Sequence, residues 1–237
     1  MGGLSRLPMR TPGSLGEARA IQEAVAREAA AAPAPRISLD AVRHVAGADA
    51  SYSPDGRTAH AAVAVFRFPD LDLLERSTFS CEVTFPYLSG YFAFREGPAL
   101  IGAVLALGQR PDLLFVDGHG TAHPRRAGIA VHVGLLLGIP SVGVAKRPLG
   151  GGMLLPGPAR GSAAPVMNRG EVVGMAVRTR TGSRPVVVSP GYATDLETAV
   201  AAVLATTAGS RIPAPLREAH QISREVLSKA LSRPART

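Results

Sequence analysis

The sequence predicts an α/β fold in which one mixed β-sheet carries helices on its faces, within a single domain. Three observations support this prediction. A meander of strand-like segments with turn signals between them comes first, and helical and strand-like segments alternate after it. The chain has 237 residues, a length that suits one large domain. A meander followed by alternating helices and strands is typical of a mixed sheet covered by helices.

The N-terminal region predicts an arm followed by a helix. Residues 1–14 carry Gly, Pro and isolated Arg, so we expect a flexible arm there and the folded domain over 15–232. Ser14 with Glu17 three residues later is a helix-start signal, and the apolar spacing that follows predicts a helix over 14–32.

The meander and the first alternating unit follow. The segments HVAGADASYS and TAHAAVAVFRF flank the turn signal SPDGR and predict a hairpin over 44–68, and LDLLERSTFSCEVTF outlines a third strand. We expect a helix over about 94–108 and then a short buried strand in DLLFVD.

The second half of the chain completes the alternation. RAGIAVHVGLLLG predicts an apolar helix and PSVGVAK another buried strand. The segments EVVGMAVRTR and PVVVSP flank TGSR and predict a further hairpin. Helices near 194–208 and 214–232 close the chain, and the Gly- and Pro-rich residues 149–165 are interpreted as a surface loop beside the functional site.

Composition narrows the function classes. The net charge of +8 favours an anionic partner, with nucleic acid first. Lysine occurs only at Lys146 and Lys229 in a chain that otherwise uses arginine, which makes Lys146 notable. The single cysteine, Cys81, excludes a disulfide framework. No apolar run is long enough to span a membrane, and the start does not resemble a secretory signal, so we expect a cytoplasmic protein without a membrane span.

Three acidic residues stand where strands or helices meet loops. Asp49 lies within a strand of small residues, Glu96 at the predicted first turn of a helix, and Asp117 at the end of a buried strand. If the predicted strands form one sheet, the first and fourth strands lie side by side and bring Asp49 next to Asp117. Carboxylates crowded in this way repel one another, and a divalent cation such as Mg²⁺ or Mn²⁺ relieves the repulsion.

The histidines do not form a zinc site. His119, His123 and His132 lack a standard zinc spacing, and Cys81 has no cysteine partner. His132 lies in an apolar helical pattern and is predicted to be packed in the core. His119 and His123 lie in the glycine-bearing loop after Asp117, where ligand contacts are common.

Five motifs, in order along residues 44–220, resemble those of endonuclease V, a nuclease family that acts near deaminated purines. They are AGADASYS, PYLSGYFAFREGP, FVDGHGTAHPRRAGIAVHVG, IPSVGVAKRPL and IPAPLREAH. The resemblance implies a ribonuclease H-like fold, which agrees with the predicted strand order. It also implies Mg²⁺-dependent hydrolysis, with Mn²⁺ as a substitute, of the second phosphodiester on the 3′ side of hypoxanthine as the start of DNA repair.

The same resemblance implies the partners. They are DNA containing deaminated bases, or inosine-containing RNA, with no membrane and no organic cofactor. We expect a monomer, although no residue pattern fixes the oligomeric state. No residue plainly selects or excludes a 2′-hydroxyl, so DNA and RNA both remain open.

The resemblance also assigns residues to the metal and the phosphate. Asp49, Glu96 and Asp117 match the acidic metal ligands, and His220 matches a further metal-proximal group. Lys146 matches the lysine beside the scissile phosphate. A bound metal with Lys146 would supply an activated water and charge relief on the phosphoryl oxygens.

Other residues are assigned to the substrate strand. His123 matches a histidine near the cleaved strand, and Arg125 is expected to contact the phosphate. Tyr87 matches the wedge that enters the strand gap. The candidates for the pocket that holds the flipped base are Gly90, Gly118, Ile129 and Leu149. The chain departs from the family at Tyr192, where a histidine is common.

Three other functions remain alternatives. A resolvase or another ribonuclease H-like nuclease would keep the three acids but would not need PYLSG. A nucleic-acid binding module without catalysis would rely on basic charge alone, and the acidic set argues against it. A hydrolase using Cys81 would need a base, and none is assigned to this cysteine.

Overall fold

The computed structural model describes residues 9–31, 37–150 and 152–232. Its centre is a β-sheet of nine strands: β1 (His44–Tyr52), β2 (Thr58–Arg67), β3 (Leu73–Glu82), β4 (Leu113–Asp117), β5 (Ser141–Ala145), β6 (Gly152–Met153), β7 (Ala163–Asn168), β8 (Glu171–Val177) and β9 (Val186–Pro190). The spatial order is β3-β2-β1-β4-β5-β9-β8-β7-β6. The central strands β1, β4 and β5 are parallel, whereas the flanking hairpins pair antiparallel.

The described residues form five α-helices and a short 3-10 helix (Leu39–Ala41). The α-helices are α1 (Leu15–Ala31), α2 (Phe92–Leu105), α3 (Ile129–Leu137), α4 (Leu196–Ala205) and α5 (Ala214–Leu231). The side chains of α2 and α3 pack on one face of the sheet, and those of α4 and α5 pack on the other. Helix α1 packs outside α3, where Val25 contacts Val131 and Leu135. No helix in the three described ranges is long and apolar enough to cross a membrane.

The central strand β1 is buried on both faces because side chains alternate along a strand. Ala46 and Ala48 belong to the core under α2 and α3, whereas Val45 belongs to the core under α4 and α5. Small residues in β1 let helices approach both faces. Strand β1 therefore lies between two layers of helices and packs against both.

The predicted fold class and element order are confirmed. The meander is β1–β2–β3, the first and fourth strands are neighbours, and the later hairpin is β8–β9. The helix start at Ser14 is confirmed as well, since Ser14 Oγ accepts the Glu17 N–H at 3.1 Å.

The predicted position of Glu96 in the first helical turn is wrong. Helix α2 begins at Phe92, because the chain turns at Gly90 with φ of +80° and the Phe94 N–H then bonds to the Tyr91 carbonyl. Glu96 therefore lies in the second turn. The helix also ends at Leu105, before the predicted end at residue 108. The Gly108 N–H, which lies beyond the helix, donates to the Glu75 carboxylate.

The interpretation of residues 149–165 as a surface loop is wrong in part. The short strand β6 lies inside this segment, and β7 begins at Ala163. Both belong to the sheet because β7 pairs with β8, and Val166 is almost fully buried against that strand. The Gly- and Pro-rich composition of residues 149–165 did not show that β7 pairs with β8, because this pairing depends on a strand outside the segment.

The predicted N-terminal arm lies partly outside the described residues, which begin at Met9. In the described part, Met9 packs against the core beside Gly97, and Pro12 is buried. Thr11 Oγ1 lies 2.9 Å from Thr84 Oγ1. The flexibility of the arm and the domain boundary at residue 15 stay predictions.

Helix α5 crosses β1 at Gly47. A Cβ atom at Gly47 would lie 2.2 Å from the backbone carbon of Pro215 and 2.4 Å from the Leu216 nitrogen. Only glycine fits this crossing, because backbone atoms of a packed helix start have little room to move. The crossing fixes α5 over the strand that carries Asp49.

We expect Gly47→Ala to lower the free energy of unfolding by about 1–3 kcal/mol, the usual cost of forced overpacking. Urea denaturation measures this change. Gly152→Ala is the matched control, because a Cβ there meets nothing within 4 Å. The control should stay within about 0.5 kcal/mol of the parent. Equal stability of the two variants would contradict the close approach of α5 to β1.

Candidate active site

A cavity of about 350 Å³ opens where β1, β4 and β5 meet α2, α3 and α5. It brings together ten of the sequence-predicted site residues: Asp49, Gly90, Glu96, Asp117, Gly118, His123, Ile129, Lys146, Leu149 and His220. Tyr87 and Arg125 lie outside its lining. The acidic residues and the glycine-bearing segments thus share one cavity.

The parallel pairing of β1 with β4 places Asp49 beside Asp117. The register pairs Ala48 with Val116, so the next residue on each strand is an aspartate. Asp49 is 8% exposed. Burial raises the pKa of Asp49 because it disfavours the charged carboxylate. The neighbouring Asp117 carboxylate raises this pKa further, because it repels a second negative charge.

Each aspartate has a basic partner. His220, on α5, lies with Nδ1 2.6 Å from Asp49 Oδ2. Lys146, which follows β5, donates from Nζ to Asp117 Oδ2 at 2.7 Å. Burial opposes the charged ammonium, but the attraction of Asp117 outweighs it and raises the pKa of Lys146.

Glu96 enters the cavity from α2. Burial raises the pKa of Glu96 to about 8, and the carboxylates of Asp49 and Asp117 add to the rise. The Tyr52 hydroxyl donates to Glu96 Oε1 at 3.0 Å and partly opposes this shift. At neutral pH the metal-free protein therefore holds a proton on Glu96.

Tyr52 is a site residue that sequence reasoning missed. It ends β1, three residues after Asp49, and the Arg95 guanidinium lies 4.6 Å from the centre of its ring. Arg95 in turn donates to the carbonyls of Phe85 and Gly56. A tyrosine at the end of the Asp49 strand was the available signal, but its partner on α2 was not visible in the sequence.

The donor chemistry of the cavity fits a hard divalent cation. Burial and the neighbouring carboxylates raise the pKa values of Asp49 and Glu96, which is the electrostatic condition that a bound cation relieves. Within the described ranges, no group of three or more His, Cys, Asp or Glu side chains is arranged so that it could hold a metal ion without rearrangement. Instead, Asp49, Glu96 and Asp117 each have a hydrogen-bond partner.

His123 and Arg125 both form hydrogen bonds within the protein, and their predicted contacts with the substrate strand stay predictions. His123 is 3% exposed and its Nε2 lies 2.9 Å from the Gly90 carbonyl oxygen. Arg125 donates from Nη2 to the same oxygen at 2.9 Å. Burial lowers the pKa of His123 to about 4, so its ring is neutral at physiological pH.

The loop of residues 86–91, here called the 86–91 loop, forms one rim of the site. Tyr87 in this loop is 66% exposed, and its ring meets Phe92 edge-on with centroids 5.1 Å apart. On the opposite side, Gly118 has φ of +152°, and a Cβ there would lie 2.4 Å from Ile129 Cγ2. Gly118 therefore cannot accept a side chain without moving the cavity wall.

Three residues lie where they serve packing or loop structure. His132 is 1% exposed and its ring meets Phe94 edge-on, so the core prediction is confirmed. His119 lines the cavity, and its Nε2 lies 2.9 Å from the Arg147 carbonyl oxygen. Tyr192 packs with the α1–α3 cluster, away from the cavity lining.

Comparison with known proteins gives a consistent result. The family model described as Endonuclease V matches residues 24–221. An endonuclease V of Roseiflexus sp. is 45% identical over 215 residues, which cover 90% of this chain and 93% of that protein. The crystal structure of an endonuclease V from Streptomyces avermitilis is 39% identical with a TM-score of 0.87, covering 95% of this chain and 98% of the other.

A more distant relative was crystallised with nucleic acid. It is an endonuclease V of Ciona intestinalis in complex with a 24mer DNA containing an inosine followed by a ribo-adenosine. That protein is 27% identical to this chain, with a TM-score of 0.76 and coverage of 91% of this chain and 98% of the other.

The raised pKa of Glu96 predicts how pH affects stability without metal. The folded protein keeps a proton that the unfolded chain releases, so the free energy of unfolding falls as pH rises toward the folded pKa of about 8. His123 and His132, whose pKa values are lowered, act oppositely but only below their unfolded pKa of about 6.5. Above about pH 7 the titration of Glu96 therefore has the larger effect on the free energy of unfolding.

We expect the urea midpoint in EDTA to fall between about pH 7 and about pH 9, and to fall less in Glu96→Gln, which cannot titrate. Added Mn²⁺ should restore the parent at the higher pH, because the cation takes the place of the proton. The same pH slope in parent and variant would contradict the assignment of the raised pKa to Glu96.

Proposed function

Because the chain belongs to the endonuclease V family, we propose that this nuclease recognises a deaminated purine in nucleic acid and hydrolyses the second phosphodiester on its 3′ side. The substrate proposed is DNA containing hypoxanthine, and the reaction would begin repair. One observation carries the proposal: a single cavity joins the acidic cluster to the glycine-bearing wall beside the exposed Tyr87. The Ciona relative bound to inosine-containing DNA supports the choice of substrate.

The acidic cluster is proposed to hold Mg²⁺, with Mn²⁺ as a substitute. Nucleases of this kind generally need a divalent metal, and the metal would supply an activated water and charge relief on the phosphoryl oxygens. Asp49, Glu96 and Asp117 provide the oxygen ligands. His220 directs Nδ1 at Asp49, the arrangement that a metal-ligating histidine uses to orient its other nitrogen.

Lys146 is proposed to act on the phosphate as a compact charge. In the free protein it is paired with Asp117 at 2.7 Å and is half-exposed, so it remains accessible to a substrate strand. With a divalent cation held by Asp117, Lys146 would be released from this pairing and could turn toward the phosphoryl oxygens that gain negative charge. His123 is neutral and buried, so we assign it no role as an acid.

Recognition of the base is proposed for the backbone of the cavity wall. Hypoxanthine has a keto oxygen and an N1–H, where adenine has an amino group and a bare nitrogen. Backbone groups near Gly90, Gly118, Ile129 and Leu149 can distinguish these without a charged side chain. Tyr87 is proposed as the wedge, because it is exposed on the 86–91 loop and an altered base unstacks at lower cost.

The direct test is cleavage of end-labelled DNA and RNA strands of one sequence, each with a single inosine, mapped at nucleotide resolution. We expect a Mg²⁺-dependent nick at the second phosphodiester 3′ to the inosine and none in an inosine-free strand. Asp117→Asn should cut orders of magnitude more slowly and still bind, because phosphate contacts supply most of the affinity. Equal cutting of both strands would support a nuclease without lesion specificity, and RNA-only cutting would support an endoribonuclease.

The pairing of Lys146 with Asp117 yields a sharper prediction. Arginine has a wide planar guanidinium in place of a compact ammonium, so Lys146→Arg would misplace its charge beside the phosphate. A displacement of about 1 Å can cost roughly a hundredfold in rate. We expect Lys146→Arg to fold and to bind inosine DNA, but to cut nearly as slowly as Lys146→Ala.

The chain provides its own control at Lys229, an exposed lysine in the last turn of α5. Single-turnover cleavage with saturating enzyme measures both variants. Lys229→Arg should cut at the parent rate. A Lys146→Arg rate within a factor of about two of the parent would remove Lys146 from the catalytic residues.

A further inference from the structure

Three side chains converge on the carbonyl oxygen of Gly90. Gln22 Nε2, His123 Nε2 and Arg125 Nη2 each lie 2.9 Å from it. Gln22 belongs to α1 and is 1% exposed, between Ala18 and Val25 on the buried stripe of that helix. A glutamine at such a position needs partners for its amide, and it finds them at the rim of the cavity.

The Gly90 carbonyl is thereby saturated. A carbonyl oxygen has two lone pairs, so three donors leave no capacity for a substrate group. This oxygen therefore serves to hold the 86–91 loop. Any contact that Gly90 makes with a base must use another atom.

The donors form a consistent network. Because a carbonyl only accepts, His123 must carry its proton on Nε2, and its Nδ1 accepts the Arg125 backbone N–H at 3.2 Å. Gln22 Oε1 accepts from Arg125 Nε at 2.5 Å, which directs the amide nitrogen of Gln22 to Gly90. The bonds of Gln22 and His123 to Gly90 are buried and those of Arg125 are partly buried, so competition from water is reduced.

Helix α1 also packs against the loop. Ala18 contacts Phe85 and Phe94 in a cluster that includes Tyr91. The Arg125 guanidinium lies 4.5 Å from the centre of the Tyr91 ring. The loop is thus held near its C-terminal end by the side chains around Gly90, whereas Tyr87 near its start is exposed.

We infer that Gln22 is a positioning residue that anchors the 86–91 loop through the Gly90 carbonyl, so that Tyr87 can displace a stacked base without the loop yielding. This inference rests on the proposed function, in which Tyr87 is the wedge. When Tyr87 displaces a stacked base, the stacked bases push Tyr87 and its loop back toward the protein. Without the donor from α1, the 86–91 loop would move when Tyr87 presses on the base, and the stacked bases would be separated less often.

Two substitutions at Gln22 and one control separate anchoring from general stability. Gln22→Glu keeps the shape and the acceptor for Arg125, but places an oxygen against the Gly90 oxygen where the donor had been. Gln22→Ala removes the whole amide. Val25→Ala is the matched control, because Val25 is equally buried on α1 yet packs on Val131 and Leu135, away from the loop.

The first measurement is amide hydrogen exchange of the free protein, without metal or substrate. We expect exchange in the 86–91 loop to rise about tenfold or more in Gln22→Glu and Gln22→Ala, because a local contact controls local opening. Val25→Ala should leave exchange in the loop at the parent level. Loop exchange that is unchanged in Gln22→Glu overturns the anchor.

The second measurement is single-turnover cleavage of inosine in a duplex and in a single strand. We expect both Gln22 variants to lose about tenfold or more on the duplex and to stay within about twofold on the single strand, where no stack must be opened. Equal loss on both strands, or no loss on the duplex despite a loosened loop, overturns the positioning role. A parent that shows no inosine preference refutes the proposed function instead, while the exchange result still decides whether Gln22 anchors the loop.

Discussion

The mutual repulsion of Asp49 and Asp117 is the constraint on which the rest of the site depends. The parallel register of β1 and β4 fixes it, because two strands hydrogen-bonded side by side cannot separate their aspartates. Glu96 adds a third carboxyl from α2, and burial together with the neighbouring carboxylates raises its pKa to about 8. Such crowding costs stability, and the divalent cation proposed above would relieve this cost.

The surrounding elements each reduce this cost at a different carboxyl. Helix α5 brings His220 to Asp49, the end of β5 brings Lys146 to Asp117, and the end of β1 brings Tyr52 to Glu96. These partners orient the oxygens as well as stabilising them. The close crossing of α5 over Gly47 therefore belongs to the site as much as to the core, since it sets the distance between His220 and Asp49.

A second buried network supports the other half of the cavity. His123, Arg125 and Gln22 all donate to one carbonyl at the rim, while the acidic cluster occupies the floor near the sheet. The two networks share no hydrogen bond in the described part of the chain. This separation suits the proposed function, because the position of the 86–91 loop and the arrangement of the acidic cluster can each be fixed without the other.

The sequence by itself determined the fold class, the strand order around β1 and β4, and the three acids that the structure brings into one cavity. Asp49 stands out there because a strand of Ala, Gly and Val has no structural use for a carboxylate. Local pattern placed Glu96 in the first turn of α2, because it did not show that the turn at Gly90 starts the helix at Phe92. It also assigned β6 and the start of β7 to a loop, since the pairing of an edge strand depends on its partner strand. Only the tertiary structure decided which donors reach which acceptors. Gln22 and Gly90 lie 68 residues apart, Asp49 and His220 lie 171 apart, and no periodicity encodes a hydrogen bond over such separations.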